Sequence, residues 1–305
     1  MARVLFVFLD GVGIGHADPA RNPMQAAALP TLTELLGGTL PTLSRPRIGT
    51  SLGRSAAAFP LDAGLDRPGL PQSGTGQTTL LTGENAVVRF GRHFGPWVPV
   101  SLRPLVRDRS LLKLAVDRGH TVTFANAYPR SWARSGQLRR IAAPPLAALG
   151  AGLLHRSQRE LALGQAVSSE IVNDGWRARW QDEGIPKVTP VQAGRILARL
   201  AADHELTFYA HYATDTAGHR GDAADCRAAL ERVDRFLAGV LETLPEDHLL
   251  LVASDHGNIE ELGAGHTRNP ALGILAGPDA PARSLALTSL THPAAAILDW
   301  LATPA

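Results

Sequence analysis

Three largely apolar runs, each leading into an aspartate, constrain this chain more than any other feature. Val4 to Leu9 stops at Asp10-Gly11, Leu206 to Tyr212 leads into Asp215, and Leu249 to Ala253 leads into Asp255-His256. Runs of this kind lack a solvent face, which is the pattern of strands covered by helices on both sides, as in a parallel sheet. Such sheets bind their ligands beyond the carboxyl ends of the strands. Three acids are therefore expected at one edge of one sheet.

The intervening segments read as helices. Thr189-Pro190-Val191-Gln192 combines a capping threonine, a proline at the first helical position and a glutamine that completes a capping box. Apolar positions at helical spacing between Gly221 and Leu244 predict a second helix, and Pro293 to Leu301 a last one, with Thr291 or His292 as its cap. Ala271 to Ala276 and Thr121 to Phe124 read as further strands, and Ser168 to Trp180 as a helix. From about Val87 to Val188 arginine becomes dense, and Pro144-Pro145 and Gly150 to Gly152 mark loops. The pattern is an α/β core formed by residues 1–86 together with 189–305, interrupted by an inserted cap over residues 87–188.

Composition narrows the function. With 30 basic against 28 acidic residues the net charge is only +2, weak support for a nucleic-acid partner. The single cysteine, Cys226, excludes an internal disulfide and a cysteine-based zinc cluster. The first apolar run is too short for a signal peptide and no stretch reaches the length of a membrane span, so the expectation is a soluble, cytoplasmic chain.

The candidate ligands are Asp10, Asp215, His219, Asp255, His256 and His266. Asp215 and His219 are four apart, so a helical turn places both on one face. Gly257, Gly263 and Gly265 let the chain bring His266 back toward Asp255-His256. Mixed carboxylate and imidazole donors suit Mn²⁺, Zn²⁺ or iron, and pure oxygen donors suit Mg²⁺. Six such residues suffice for two ions, the arrangement used for in-line phosphoryl transfer. The stretch Gln72-Ser73-Gly74-Thr75-Gly76-Gln77 supplies a nucleophile, Ser73, ahead of an apparent helix whose N-terminus favours a phosphate.

Ser254-Asp255-His256-Gly257-Asn258, with His266-Thr267-Arg268-Asn269-Pro270 downstream, resembles the alkaline phosphatase superfamily, in the branch of cofactor-independent phosphoglycerate mutase and phosphopentomutase. Phe8-Leu9-Asp10-Gly11-Val12-Gly13 and Asp215-Thr216-Ala217-Gly218-His219 resemble two more of its motifs, in the same order. The resemblance implies a three-layer α/β/α core with a mostly parallel sheet. It implies one ion held by Asp10, Ser73, Asp255 and His256, and a second by Asp215, His219 and His266, with Mn²⁺ first and Zn²⁺ or Mg²⁺ as alternatives. It makes Ser73 the nucleophile and Thr75 the alternative. Gln77 stands where the mutases carry a histidine.

The expected activity is two-metal phosphoryl transfer on a small phosphomonoester through a phosphoserine, ending as mutase or phosphatase. A phosphodiesterase on the same core, or a metal- or nucleic-acid-binding chain without catalysis, are the alternatives. Thr75, Arg89, Arg92, Arg130, Arg134 and Lys187 are the candidate substrate contacts, since guanidinium forks match phosphate.

Overall fold

The apolar runs form the centre of a seven-stranded sheet. A computed structural model describes residues 2–51, 53–132, 137–180 and 184–303. The strands are β1 (Arg3–Leu9), β2 (Ile48–Thr50), β3 (Ala56–Leu61), β4 (Val122–Phe124), β5 (Leu206–His211), β6 (His248–Ser254) and β7 (Ala271–Ala276), in the order β2-β3-β7-β6-β1-β5-β4. β1 lies between β5 and β6, parallel to both, and Leu9 is level with His211 on one side and Ser254 on the other. That register brings the residues following all three strands to one edge.

Period-2 alternation along β1 divides the core. Val4, Phe6 and Phe8 face one hydrophobic cluster, and Leu5, Val7 and Leu9 face the other. The first side is covered by the helices Ser73–Thr82, Arg103–Arg109, Leu111–Asp117, Ala143–Gly150 and His292–Ala302. The second is covered by Pro190–Ala202 and Ala223–Thr243, with the short helices Pro23–Ala26 and Pro30–Leu35. Thr189 caps Pro190–Ala202 through the full capping box. Gly194 and Gly239 let that helix and Ala223–Thr243 touch backbone to backbone, because a Cβ at either would run into the facing chain. Cys226 is buried in this layer.

The sheet is α/β as expected, but its parallel character is confined to β4-β5-β1-β6. β7, β3 and β2 continue it with antiparallel ladders. The cause lies between β6 and β7, where the chain turns back through a loop rather than crossing over on a helix. That loop carries His256 and His266.

The segment 87–188, expected as an inserted cap, divides in two. β4 is the edge strand of the common sheet, and Val87, Val106, Leu112, Ile141 and Ala147 share a cluster with Phe6 and Phe8. A small separate cluster joins Ala127, Leu161, Ala166, Trp176 and Ile185. The helix expected over Ser168 to Trp180 begins only at Asp174. Before it, Ser168 and Ile171 bridge in a tight turn that holds Ile171 at φ 72°, incompatible with a helix. Among the described residues no helix is long and apolar enough to cross a membrane.

Candidate metal centre

Each acid at the sheet edge is delivered by a different element. Asp10 directly follows β1, and its N–H bonds to the His211 carbonyl. Asp255 and His256 follow β6, where Ser254 Oγ ties the loops together by accepting from Val12 N–H at 2.8 Å and donating to the His256 carbonyl at 3.2 Å. The helix Ala213–Arg220 starts just after β5 and sets Asp215 and His219 on one face, with 3.3 Å between Oδ2 and Nε2. Gly11, at φ 67°, allows the two loops to close, because a side chain there would strike the Asp215 carboxylate. His266 returns from the loop before β7, with Nε2 3.1 Å from His219 Nε2 and 3.7 Å from Asp215 Oδ1.

The result is two overlapping groups of possible ligands, Asp10-Asp255-His256 and Asp215-His256-His266, each with its ligand atoms within 4.8 Å of one another. His256 belongs to both, beyond the single ion assigned to it by resemblance. His219 flanks the second group. Both central histidines carry the tautomer a metal needs: Nδ1 of His266 donates to the Pro71 carbonyl at 2.7 Å and Nδ1 of His256 to the Gly257 carbonyl at 3.3 Å. Each Nε2 lone pair is left facing the cluster.

The carboxylates are prepared in the same way, with one oxygen held and the other presented. Gly11 N–H holds Asp255 Oδ1 at 3.2 Å, Gln77 Nε2 holds Asp10 Oδ2 at 3.0 Å, and Asn258 Nδ2 holds Asp215 Oδ1 at 2.6 Å. Asp255 Oδ2 and Asp10 Oδ1 are buried with no hydrogen-bond partner, each 3.5 Å from His256 Nε2. Orphaned anionic oxygens at this depth are costly unless a cation meets them. Burial, reinforced by the Asp215 charge, pushes the Asp255 carboxyl up to about 7. Burial and the Asp255 and Asp215 charges hold Asp10 well above the carboxylate range. Burial lowers His256 and His266, keeping them neutral and able to ligate. The donor set fits divalent cations.

Ser73 is the first residue of the helix Ser73–Thr82, and its Oγ lies 2.9 Å from His256 Nε2. Gly74 and Gly76 let this helix press against the loops: a Cβ on the first would enter the backbone at Trp97, and one on the second would come 2.9 Å from the Asp255 carbonyl. In the first turn the Thr75 N–H is taken by the Phe94 carbonyl at 2.9 Å and the Gly76 N–H by the Gln72 carbonyl at 2.8 Å.

This arrangement agrees with what the chain resembles. The Metalloenzyme superfamily signature matches residues 187–304. Phosphopentomutase of Vibrio campbellii is 28% identical over 227 residues, covering 72% of this chain and 55% of that protein. Phosphopentomutase of Photobacterium profundum matches to the same extent. Alkaline phosphatase from the Antarctic bacterium TAB5 superposes with a TM-score of 0.52 at 13% identity, over 99% of this chain and 98% of that one. A Pyrococcus horikoshii protein gives 0.55 at 12% identity, over 92% and 86%. The C-terminal part of the chain thus matches a metalloenzyme family, and the fold is similar to that of alkaline phosphatases. The chain spans about half the length of the curated relatives it matches.

Of the remaining expected contacts, few lie at this cluster. Thr75 is buried, but its hydroxyl faces the Gln72 and Phe94 carbonyls and accepts from Phe94 N–H at 3.2 Å, away from the cluster. Arg89, Arg92, Arg130 and Lys187 are exposed. Arg92 lies over the Phe90 ring, and Arg130 reaches Ser157 Oγ at 3.5 Å. Arg134 lies outside the described residues. A cavity of about 350 Å³ opens beyond β4, lined by Tyr128, Trp132, Glu170, Trp176 and Arg179 among others.

Two functional side chains escaped the sequence reading. Glu260 is fully buried and accepts from Gly13 N–H, Asn258 N–H, Thr267 Oγ1 and Asn269 Nδ2 at 2.6–3.0 Å, stapling the β1 loop to the ligand loop. Asn258 orients Asp215. The signal available was a polar run, Asn258 to Glu261, inside a loop that already carried ligands.

Proposed function

We propose that this protein transfers phosphoryl groups of a small phosphomonoester through a phosphoserine at Ser73, as a phosphomutase or phosphatase, with two divalent ions, Mn²⁺ first. The observation that carries this reading is the convergence of Ser73 Oγ, two orphaned carboxylate oxygens and two correctly tautomerised histidines on one point beyond the sheet. The curated relatives' name, phosphopentomutase, supports the reaction class.

Asp10, Asp255 and His256 would hold one ion and Asp215, His219 and His266 the other. Bound there, the ions supply charge neutralisation for the phosphate and ease loss of the serine proton. Ser73 Oγ forms the bond to phosphorus as the ester oxygen departs. The positive end of its helix favours the phosphate charge. Water then takes the phosphoryl group from Ser73, giving a phosphatase, or a second hydroxyl of the same substrate takes it, giving a mutase. The segment around the small cluster of Ala127, Leu161, Ala166, Trp176 and Ile185 would act as the cover that decides between them by excluding or admitting water.

The test is turnover of a generic phosphomonoester and a generic phosphodiester by the Mn²⁺-loaded chain, with Ser73→Ala as control. Monoester hydrolysis that falls by roughly 10³-fold or more in Ser73→Ala is expected. Full activity of that variant would remove the covalent route, and preference for the diester would replace the substrate class.

A further inference from the structure

Gln77 is a polar side chain that touches this centre from the nucleophile helix and lies outside the ligand set. It is buried, lies one helical turn after Ser73 on the same helix, and donates from Nε2 to Asp10 Oδ2 at 3.0 Å. Its own carbonyl oxygen, Oε1, is buried without a hydrogen-bond partner. A buried amide with one end unsatisfied is expensive, and an apolar side chain of the same length would fill the space at less cost. The N–H bond to Asp10 is what the amide contributes in return.

The three acids differ in where their holding donor comes from. Asp255 is held by Gly11 N–H, with a weaker contribution from Gln77, and Asp215 by Asn258. Asp10 is held from the nucleophile helix. Gln77 holds Oδ2, and Oδ1 is the oxygen turned toward His256 Nε2. The same helix makes the Ser73–His256 contact one turn earlier. It thus grips two residues of one ligand group, from β1 and from β6, at two points 1 turn apart.

We propose that Gln77 is a positioning residue for this centre: its amide N–H fixes the Asp10 carboxylate for the ion of the Asp10-Asp255-His256 group and thereby couples placement of the Ser73 helix to metal binding. The inference rests on the two-ion reading above. An uncharged donor suits this task, because it holds the carboxylate without replacing the cation as counter-charge, whereas another acid at the position would add a further negative charge to the cluster.

The test is calorimetric titration of the metal-stripped whole chain with Mn²⁺, comparing wild type, Gln77→Met and Gln77→Ala. The first variant keeps length and volume and removes the donor. The second keeps the test available where methionine packs poorly, and the thermal midpoint without metal confirms folding of each. The expected result is two Mn²⁺ per wild-type chain, with one of them weakened about ten- to a hundredfold in the variants and the other unchanged. Unchanged affinity at both positions would overturn the role of Gln77 while leaving the metal centre standing. Equal weakening at both would also overturn it, by making Gln77 a general packing residue. A wild-type chain that binds no Mn²⁺ would overturn the two-ion reading and this inference with it.

Discussion

The two ligand groups share His256 and otherwise differ in their exposure to water. In the inner group the side chains of Asp255 and His256 are 0% exposed and that of Asp10 8%. In the outer group Asp215 is 17% and His266 9% exposed, and the flanking His219 is 51% exposed. Inner carboxylates have no water to turn to, so their charges repel one another and their protons are held tightly. A cation arriving there displaces protons. The outer group borders solvent at His219. Depth therefore assigns the groups different physics from similar residues.

The largest expected effect comes from breaking the inner group. Asp255→Asn should abolish binding of one ion and lower turnover by roughly 10³-fold or more, yet stabilise the metal-free chain above neutral pH. The native Asp255 carboxyl is raised to about 7, so the folded state holds its proton more tightly than the unfolded chain. Its contribution to metal-free stability is complete below the ordinary carboxylate value and is lost as pH rises through about 7. Thermal midpoints across that range, without metal, should fall for wild type and flatten for Asp255→Asn. A lower midpoint for the variant at about pH 8 would refute the repulsion argument.

Proton displacement makes a second contrast. Affinity for the inner ion should climb as pH rises toward about 7 and level off above it, with proton uptake by buffer visible in titrations run in two buffers. A flat profile over that interval would mean that Asp255 is already ionised before the metal arrives.

A smaller effect is expected outside. His219→Ala should weaken one ion by about tenfold and spare the other, since Asp215 and His266 remain. Loss of both ions in the same titration would erase the distinction between the groups. Smallest is Thr75→Val, which leaves the Phe94 N–H without its acceptor and should cost about 1–3 kcal/mol of stability by denaturant titration. Mn²⁺ binding and turnover should persist, and their loss would return Thr75 to the reacting centre.

Much of this centre was legible in local chemistry. The strand ends before Asp10, Asp215 and Asp255 follow from uninterrupted apolar runs, and the capping box at Thr189 from four adjacent residues. The partners of Glu260 were not legible, because Gly13 lies 247 residues away and only the fold places its N–H there. Gln77 read as a departure from a motif, and its contact with Asp10 spans 67 residues. The short helix at Asp174 and the antiparallel flank of the sheet arose from turn geometry, which the apolar pattern does not encode.

The sequence by itself determined that three acids would stand at strand ends on one sheet edge, with a serine opening a nearby helix, because burial on both faces leaves an apolar run no other place. Only the tertiary structure decided which oxygen of each acid is held and which is presented, that His256 belongs to both groups, and that the second group is bordered by solvent at His219. Those properties depend on donors from distant segments meeting at a depth set by the whole fold.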